Sequence, residues 1–430
     1  MKMILKGNIC YSRTPQELEI CGNSYLVCED EVSKGVFSEI PEQYRAYPVT
    51  DYGDCIIIPG LCDLHVHAPQ YAFRGLGMDM ELLDWLSTYT FPEESKYVVI
   101  DYANKSYSYF TDALARSATT RACIFATLHT PATLLLMGKL ERTGLVTMVG
   151  KVNMDRNSPD FLRQESAQAA YASTRAWIGK TKGRYKNTTP ILTPRFIPTC
   201  SDELMRKLKE LQTEFGLPVQ SHLSESKSEI AWVRELCPEA ESYGDAYNRF
   251  GLFGGEGTPT IMAHCVWSEG QEEELLRKNG VYVAHCPQSN INLCSGVAPV
   301  RRFMSKGINV GLGSDVAGGC HISIFRAMSD AVQVSKLYWR LVESGDAPLT
   351  VNEAFYLGTA GGGRFFGKVG SFKEGYEFDA VVIDDSGITS SNPLNIEERL
   401  ERIIYLSDDS CIRDKYVRGA KLQEEAYEHN

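Results

Sequence analysis

The sequence predicts an α/β protein: a (β/α)8 TIM barrel with a small β-sandwich domain built from both chain ends. Three observations carry that expectation. Eight short apolar runs recur between residues 56 and 316, most of them ending in a polar or ligand-type residue. Segments of helical character separate them. The two termini instead hold short strand-like pieces punctuated by turn glycines.

The eight runs read CIIIPGLCDLHVH (55–67), TTRACIFATLH (119–129), LVTMVGKVNM (145–154), PILTPRF (190–196), LPVQSHLSES (217–226), TPTIMAHCVW (258–267), VYVAHCPQSN (281–290) and INVGLGSDV (308–316). Continuous apolar runs of this length suit strands buried on both faces of a parallel sheet. Between them, SDELMRKLKELQTEF (201–215) opens on a Ser/Asp start signal, and SEGQEEELLRKNG (268–280) closes on a glycine stop. A doubly wound open sheet would alternate in the same way, but it calls for a glycine-rich phosphate loop after an early strand. Neither G-x-G-x-x-G nor G-x-x-x-x-G-K-[ST] occurs. The barrel is therefore assigned to residues 59–372, with residues 1–58 and 373–430 pairing into the small domain. In such a barrel the chemistry sits at strand C-termini.

Composition narrows the function. The 430 residues are 43% apolar and 23% charged, which suits a folded globular enzyme rather than a disordered chain. The formal net charge is −11 and no run of Lys or Arg exceeds two, so nucleic acid is disfavoured as a partner. The thirteen cysteines are odd in number, scattered from Cys10 to Cys411, and contain no C-x-x-C; they read as reduced, mostly buried thiols of a cytoplasmic protein. The opening apolar run is too short for a signal peptide. The longest uncharged stretch, residues 122–138, is interrupted by His129, Pro131 and threonines, so no membrane span is expected.

Five of the eight histidines, His65, His67, His222, His264 and His285, fall at predicted strand ends, and Asp315 ends the last strand. His65 and His67 stand at i and i+2, which on a strand face the same side. With His222 and Asp315 they make a three-nitrogen, one-oxygen set suited to zinc, with a position left for water. Zinc lowers the pKa of such a water to ~7. Glu225, three residues after His222, is placed to shuttle protons. His264 is placed to hydrogen-bond the attacking water and stabilise developing charge. Taken singly, each of these residues has a bland alternative: a satisfied core histidine, an Asx turn at Asp315, a first-turn helix carboxylate at Glu225. Their joint placement decides against it. His285 reads either as a residue supporting the ligands from behind or as a loop anchor; His129, His321 and His429 read as ordinary residues. No G-x-S-x-G, no H-E-x-x-H and no H-x-E…P-C-x-x-C is present.

These motifs resemble a known family. PGLCDLHVH (59–67) resembles the first-strand motif of the amidohydrolase superfamily. HAPQYAFRGLGMDMELLDWLSTYTFPEE (67–94), VGKVNMDRNSP (149–159), TPRF (193–196), QSHLSE (220–225), AHCPQSNINLCSG (284–296) and GLGSDVAGG (311–319) are similar to guanine deaminases within it, as is the tail at 403–422. The similarity spans nearly the whole chain. It implies metal ligation by His65, His67, His222 and Asp315, with one zinc per subunit and iron(II) as the other candidate. It implies Glu225 and Asp315 as proton carriers and His264 as the water's partner. It also implies a base pocket of Gln70, Arg195 and Phe196, together with His222 and Glu225, and a homodimer. The residue types suit those roles: an amide that both donates and accepts, a guanidinium for a ring carbonyl, and an aromatic face for stacking. Trp85 and Phe91 are expected mainly to pack. The reaction implied is attack of activated water on C2 of guanine, proton delivery from Glu225 to N3, and loss of ammonia through Asp315 or Glu225, giving xanthine. The alternatives are deamination of another heterocycle (8-oxoguanine, cytosine, thiomethyladenosine or a triazine) and a barrel that has lost catalysis.

Overall fold

The computed structural model describes residues 1–407 and 409–422; His429 lies outside them. The chain opens with four strands, β1 (Lys2–Ser12), β2 (Leu18–Glu29), β3 (Val32–Phe37) and β4 (Val49–Pro59). Gly60 then turns it into β5 (Leu61–His67). A Cβ at Gly60 would lie 2.1 Å from the Thr120 hydroxyl, so only glycine fits this crossing.

Two parallel four-stranded sheets follow. The first joins β5, β6 (Thr119–Phe125), β7 (Val146–Gly150) and, after the short β8 (Val152–Asn153), β9 (Thr188–Pro190). The short β10 (Thr193–Pro194) pairs with β8. The second sheet joins β11 (Val219–Leu223), β12 (Thr260–His264), β13 (Tyr282–His285) and β14 (Asn309–Leu312). Every residue of β5 and β6 is buried, as parallel strands covered on both faces require. Backbone bonds join the two sheets along both outer edges. Gln220 N donates to Leu192 O at 2.9 Å on one side, and Asp315 N to His65 O at 2.8 Å on the other. Leu64 and Cys123 from the first sheet meet Ile261, Ala263, Ala284 and Cys286 from the second in one apolar cluster.

Helices cover the outside. Asp202–Phe215 starts where Ser201 Oγ accepts from Leu204 N at 3.1 Å and stops at Gly216, φ 64°. Gln271–Lys278 is shorter than the helical segment predicted from the sequence, because Gly270 at φ 57° delays its start. Among the described residues no helix is long and apolar enough to cross a membrane. No disulfide joins any of the thirteen cysteines, and nine of them are buried.

The last strands, β15 (Ala380–Ile383), β16 (Ile412–Val417) and β17 (Ala420–Lys421), return to the first four. The order is β17-β16-β15-β4-β1-β2-β3, joined in one continuous hydrogen-bonded sheet. Register breaks in β1, between Gly7 and Ile9 against β2, disrupt the ladder locally and bend the strand. One face then packs Leu5, Ile9, Leu26 and Ile57 against Phe372 and Phe378, which arrive from the segment before β15. Buried Arg121 on β6 ties this sheet down, donating from Nε to Asp379 at 2.5 Å and from Nη2 to Glu377 at 2.9 Å.

Candidate active site

The C-terminal ends of β5, β11, β12 and β14 bring five side chains to one point. His65 and His67 lie two residues apart on β5, so their rings share a face. Their Nε2 atoms are 3.2 Å apart, and His67 Nε2 is also 3.2 Å from His222 Nε2. Asp315, three residues past β14, takes a left-handed turn at φ 45° that a short polar side chain tolerates. Its Oδ1 lies 3.1 Å from His65 Nε2 and 3.4 Å from His67 Nε2. Hydrogen bonding alone does not account for three imidazole nitrogens facing one another. Donors about 2.0–2.1 Å from a tetrahedral metal stand roughly 3.3 Å from each other, which is the spacing seen.

Protonation agrees. Burial, and then His65, push His67 and His222 well below the usual histidine range, so both rings are neutral and able to ligate. His222 Nδ1 donates to Arg195 O at 2.6 Å, which leaves its Nε2 lone pair facing the cluster. Burial opposes ionisation of Asp315, but His65, which also hydrogen-bonds it, and His264 outweigh it and hold the carboxyl below its ordinary range. His65, His67 and Asp315 can hold one ion, and His264 also lies within ligating reach of the group.

Beside this cluster sits a carboxylate–imidazole pair. Glu225 Oε2 is 3.3 Å from His264 Nε2, and Glu225 Oε1 accepts from Ser295 Oγ at 3.1 Å. His264 Nδ1 faces Asn290 Oδ1 at 2.9 Å, which fixes the ring. Burial and then the charge on Asp315 push the Glu225 carboxyl up, towards the protonated form that an acid needs. Glu229 closes the back. It accepts from Glu225 N at 3.0 Å and from Tyr243 OH at 2.8 Å, while capping the helix Lys227–Leu236. Its sequence context, Ser226 followed three residues later by Glu229, is that of an ordinary capping box and gives no sign of this second role.

Above the cluster opens a cavity. Gln70, Arg195 and Phe196 line it, as do His67, His222, Glu225, His264 and Asp315. The expectation that Trp85 mainly packs is revised: it is buried, bonds Leu76 O through Nε1 at 3.1 Å, and also forms the cavity wall with Leu82, Leu86 and Leu293. Phe91 lies under the Arg195 guanidinium, 5.3 Å from ring centre to Cζ. Sequence reasoning missed Glu94, whose two oxygens bond Gln70 Nε2 at 2.9 Å and Arg195 Nη1 at 2.6 Å. Its only signal was an acidic pair, Glu93-Glu94, in a short helix of otherwise apolar context.

His285 stands apart. Neither ring nitrogen has a hydrogen-bond partner among the described residues, so the ring does not anchor a loop as expected. Burial pushes it down to about 3, while its carbonyl accepts from Gly313 N at 2.9 Å. His129 and His321 lie outside the cluster.

The amidohydrolase family matches residues 56–421. Guanine deaminase of Dictyostelium discoideum is 35% identical, covering 98% of each chain. The Homo sapiens guanine deaminase is 34% identical, over 97% of this chain and 96% of its own. Among solved structures, guanine deaminase from C. acetobutylicum with guanine bound in its active site superposes with a TM-score of 0.95. It is 46% identical, covering 98% of this chain and 100% of that one.

Proposed function

The chain belongs to the amidohydrolase family, and we propose that its buried histidine–aspartate cluster hydrolyses the C2 amino group of guanine, giving xanthine and ammonia. The observation that carries this reading is a single cavity shared by the metal-type cluster, the Glu225–His264 pair, and the Gln70–Arg195–Phe196 edge. The strands close into an eight-stranded barrel, with the edge hydrogen bonds as support.

His65, His67, His222 and Asp315 would hold one zinc per subunit, and iron(II) would fit the same donors. The bound metal supplies an acidified water at neutral pH. The remaining work falls to this chain's own side chains. Phe196 stacks on the purine. Gln70 offers both a donor and an acceptor to the base edge, and Arg195 donates to the 6-oxo group. Glu225, buried and biased towards protonation, delivers a proton to N3 as C2 is attacked. His264, held by Asn290, orients the attacking water and stabilises the charge that develops. Glu225 or Asp315 then carries a proton to the departing amine. Leu82, Trp85, Leu86 and Leu293 keep bulk water out, which strengthens each electrostatic contact inside. We further assign the protein to the cytoplasm, as a homodimer acting on a free base in purine catabolism, with neither nucleic acid nor membrane as partner.

The test is loss of guanine absorbance with purified protein, with and without a chelator. Guanine consumption with stoichiometric ammonia, abolished by chelation, is expected. Turnover of a different heterocycle with none of guanine would overturn the substrate. Full activity after complete metal removal would overturn the chemistry.

A further inference from the structure

Glu94 sits in the short helix Phe91–Ser95, 1% exposed, with both carboxylate oxygens occupied. Oε2 accepts from Arg195 Nη1 at 2.6 Å and Oε1 from Gln70 Nε2 at 2.9 Å. Gln70 Oε1 in turn accepts from Ala317 N at 3.2 Å, in the loop after Asp315. The amide of Gln70 is therefore held in one orientation from both ends. Arg195 is held from one side by Glu94 and from below by the Phe91 ring. Each group keeps unused hydrogen-bonding capacity, and both line the cavity. The Glu94–Arg195 pair is net neutral, which suits an uncharged base.

Resting on the guanine reading above, we propose that Glu94 is a positioning residue that sets purine specificity, aiming Arg195 at the 6-oxo group and fixing which end of the Gln70 amide meets the base. The chemistry of substitution makes this testable. In Glu94→Gln one amide oxygen can still accept from Arg195, but the NH2 then faces the Gln70 NH2. Gln70 cannot turn its oxygen to meet it without turning its own NH2 onto the Ala317 N–H. One donor must face another in a buried site. Glu94→Asp keeps the charge but is one methylene short of reaching both partners.

The experiment measures inhibition constants of hypoxanthine, which carries the 6-oxo group, and of purine, which lacks it, together with guanine kinetics. In the unaltered protein hypoxanthine binds about 10- to 100-fold tighter than purine, the value of one charge-assisted hydrogen bond. In Glu94→Gln that ratio falls towards one, KM for guanine rises about tenfold or more, and kcat stays within about threefold. Glu94→Asp shows the same selective loss to a smaller degree, and decides the matter if the glutamine variant does not fold. An unchanged hypoxanthine-to-purine ratio, or a fall in kcat at constant KM, overturns the role of Glu94. Failure of the unaltered protein to consume guanine overturns instead the functional reading beneath it.

Discussion

Replacing Lys151 by methionine should stabilise the protein at neutral pH, and the gain should shrink as pH rises. Lys151 follows β7 directly and is 1% exposed. Its ammonium has one hydrogen bond among the described residues, a long one of 3.4 Å to Thr174 Oγ1, whose own proton goes to Asn153 Oδ1 at 2.7 Å. No carboxylate contributes to its titration; the titratable group that senses it is His129, itself pushed down by burial and by Lys151. Burial alone lowers Lys151 from 10.5 to about 7. Between those values the unfolded chain binds the proton and the folded chain does not, so stability rises with pH across this window. At pH 7 the difference amounts to about 3–5 kcal/mol, and by pH ~9.5 it has fallen to about 1–2 kcal/mol. Methionine fills a similar volume and has no proton to lose. The assay is urea unfolding of both proteins at the two pH values, followed by tryptophan fluorescence. Equal stability at pH 7, or a gain that does not diminish at the higher pH, would refute the reasoning.

Three other outcomes are expected. Glu225→Gln should lower kcat for guanine by about 10²–10⁴, with metal content unchanged by elemental analysis; retained turnover would remove Glu225 as the proton carrier. Arg121→Met should cost about 3–5 kcal/mol in chemical unfolding, because buried Asp379 then keeps, among the described residues, only the Arg418 N–H at 2.9 Å as a donor. KM for guanine should hold steady in the protein that remains folded. Gly150→Ala should abolish soluble protein in expression trials, since the new Cβ would lie 1.7 Å from Thr193 Oγ1 and 2.6 Å from Gln220 Nε2; a soluble, active variant would contradict this packing.

The parts of this molecule that sequence reveals are those with a period or a spacing. His65 and His67 were readable as a pair because a strand puts i and i+2 on one side, and their rings do converge. Buried parallel strands were readable because apolar runs of that length have few other uses. Glu94 was not readable. A carboxylate near the start of a short helix looks the same whether it faces solvent or holds two side chains from distant loops, and only the approach of Gln70 and Arg195 distinguishes the cases. Glu229 hid for the same reason, behind a capping box that it does form. The single continuous terminal sheet was also beyond reach, since a strand's alternation says which face is buried but not which neighbour it bonds. His285 shows the opposite error: a strand-end histidine in a suggestive motif, whose ring finds no partner.

The most direct test is anomalous X-ray diffraction at the zinc edge from crystals grown with zinc and soaked with a non-hydrolysable guanine analogue. One peak per chain is expected, about 2.0–2.2 Å from Nε2 of His65, His67 and His222 and from an Asp315 oxygen. The analogue should lie on Phe196 with its C2 towards the metal. A peak elsewhere, no peak in catalytically active crystals, or an analogue bound outside this cavity would contradict the account.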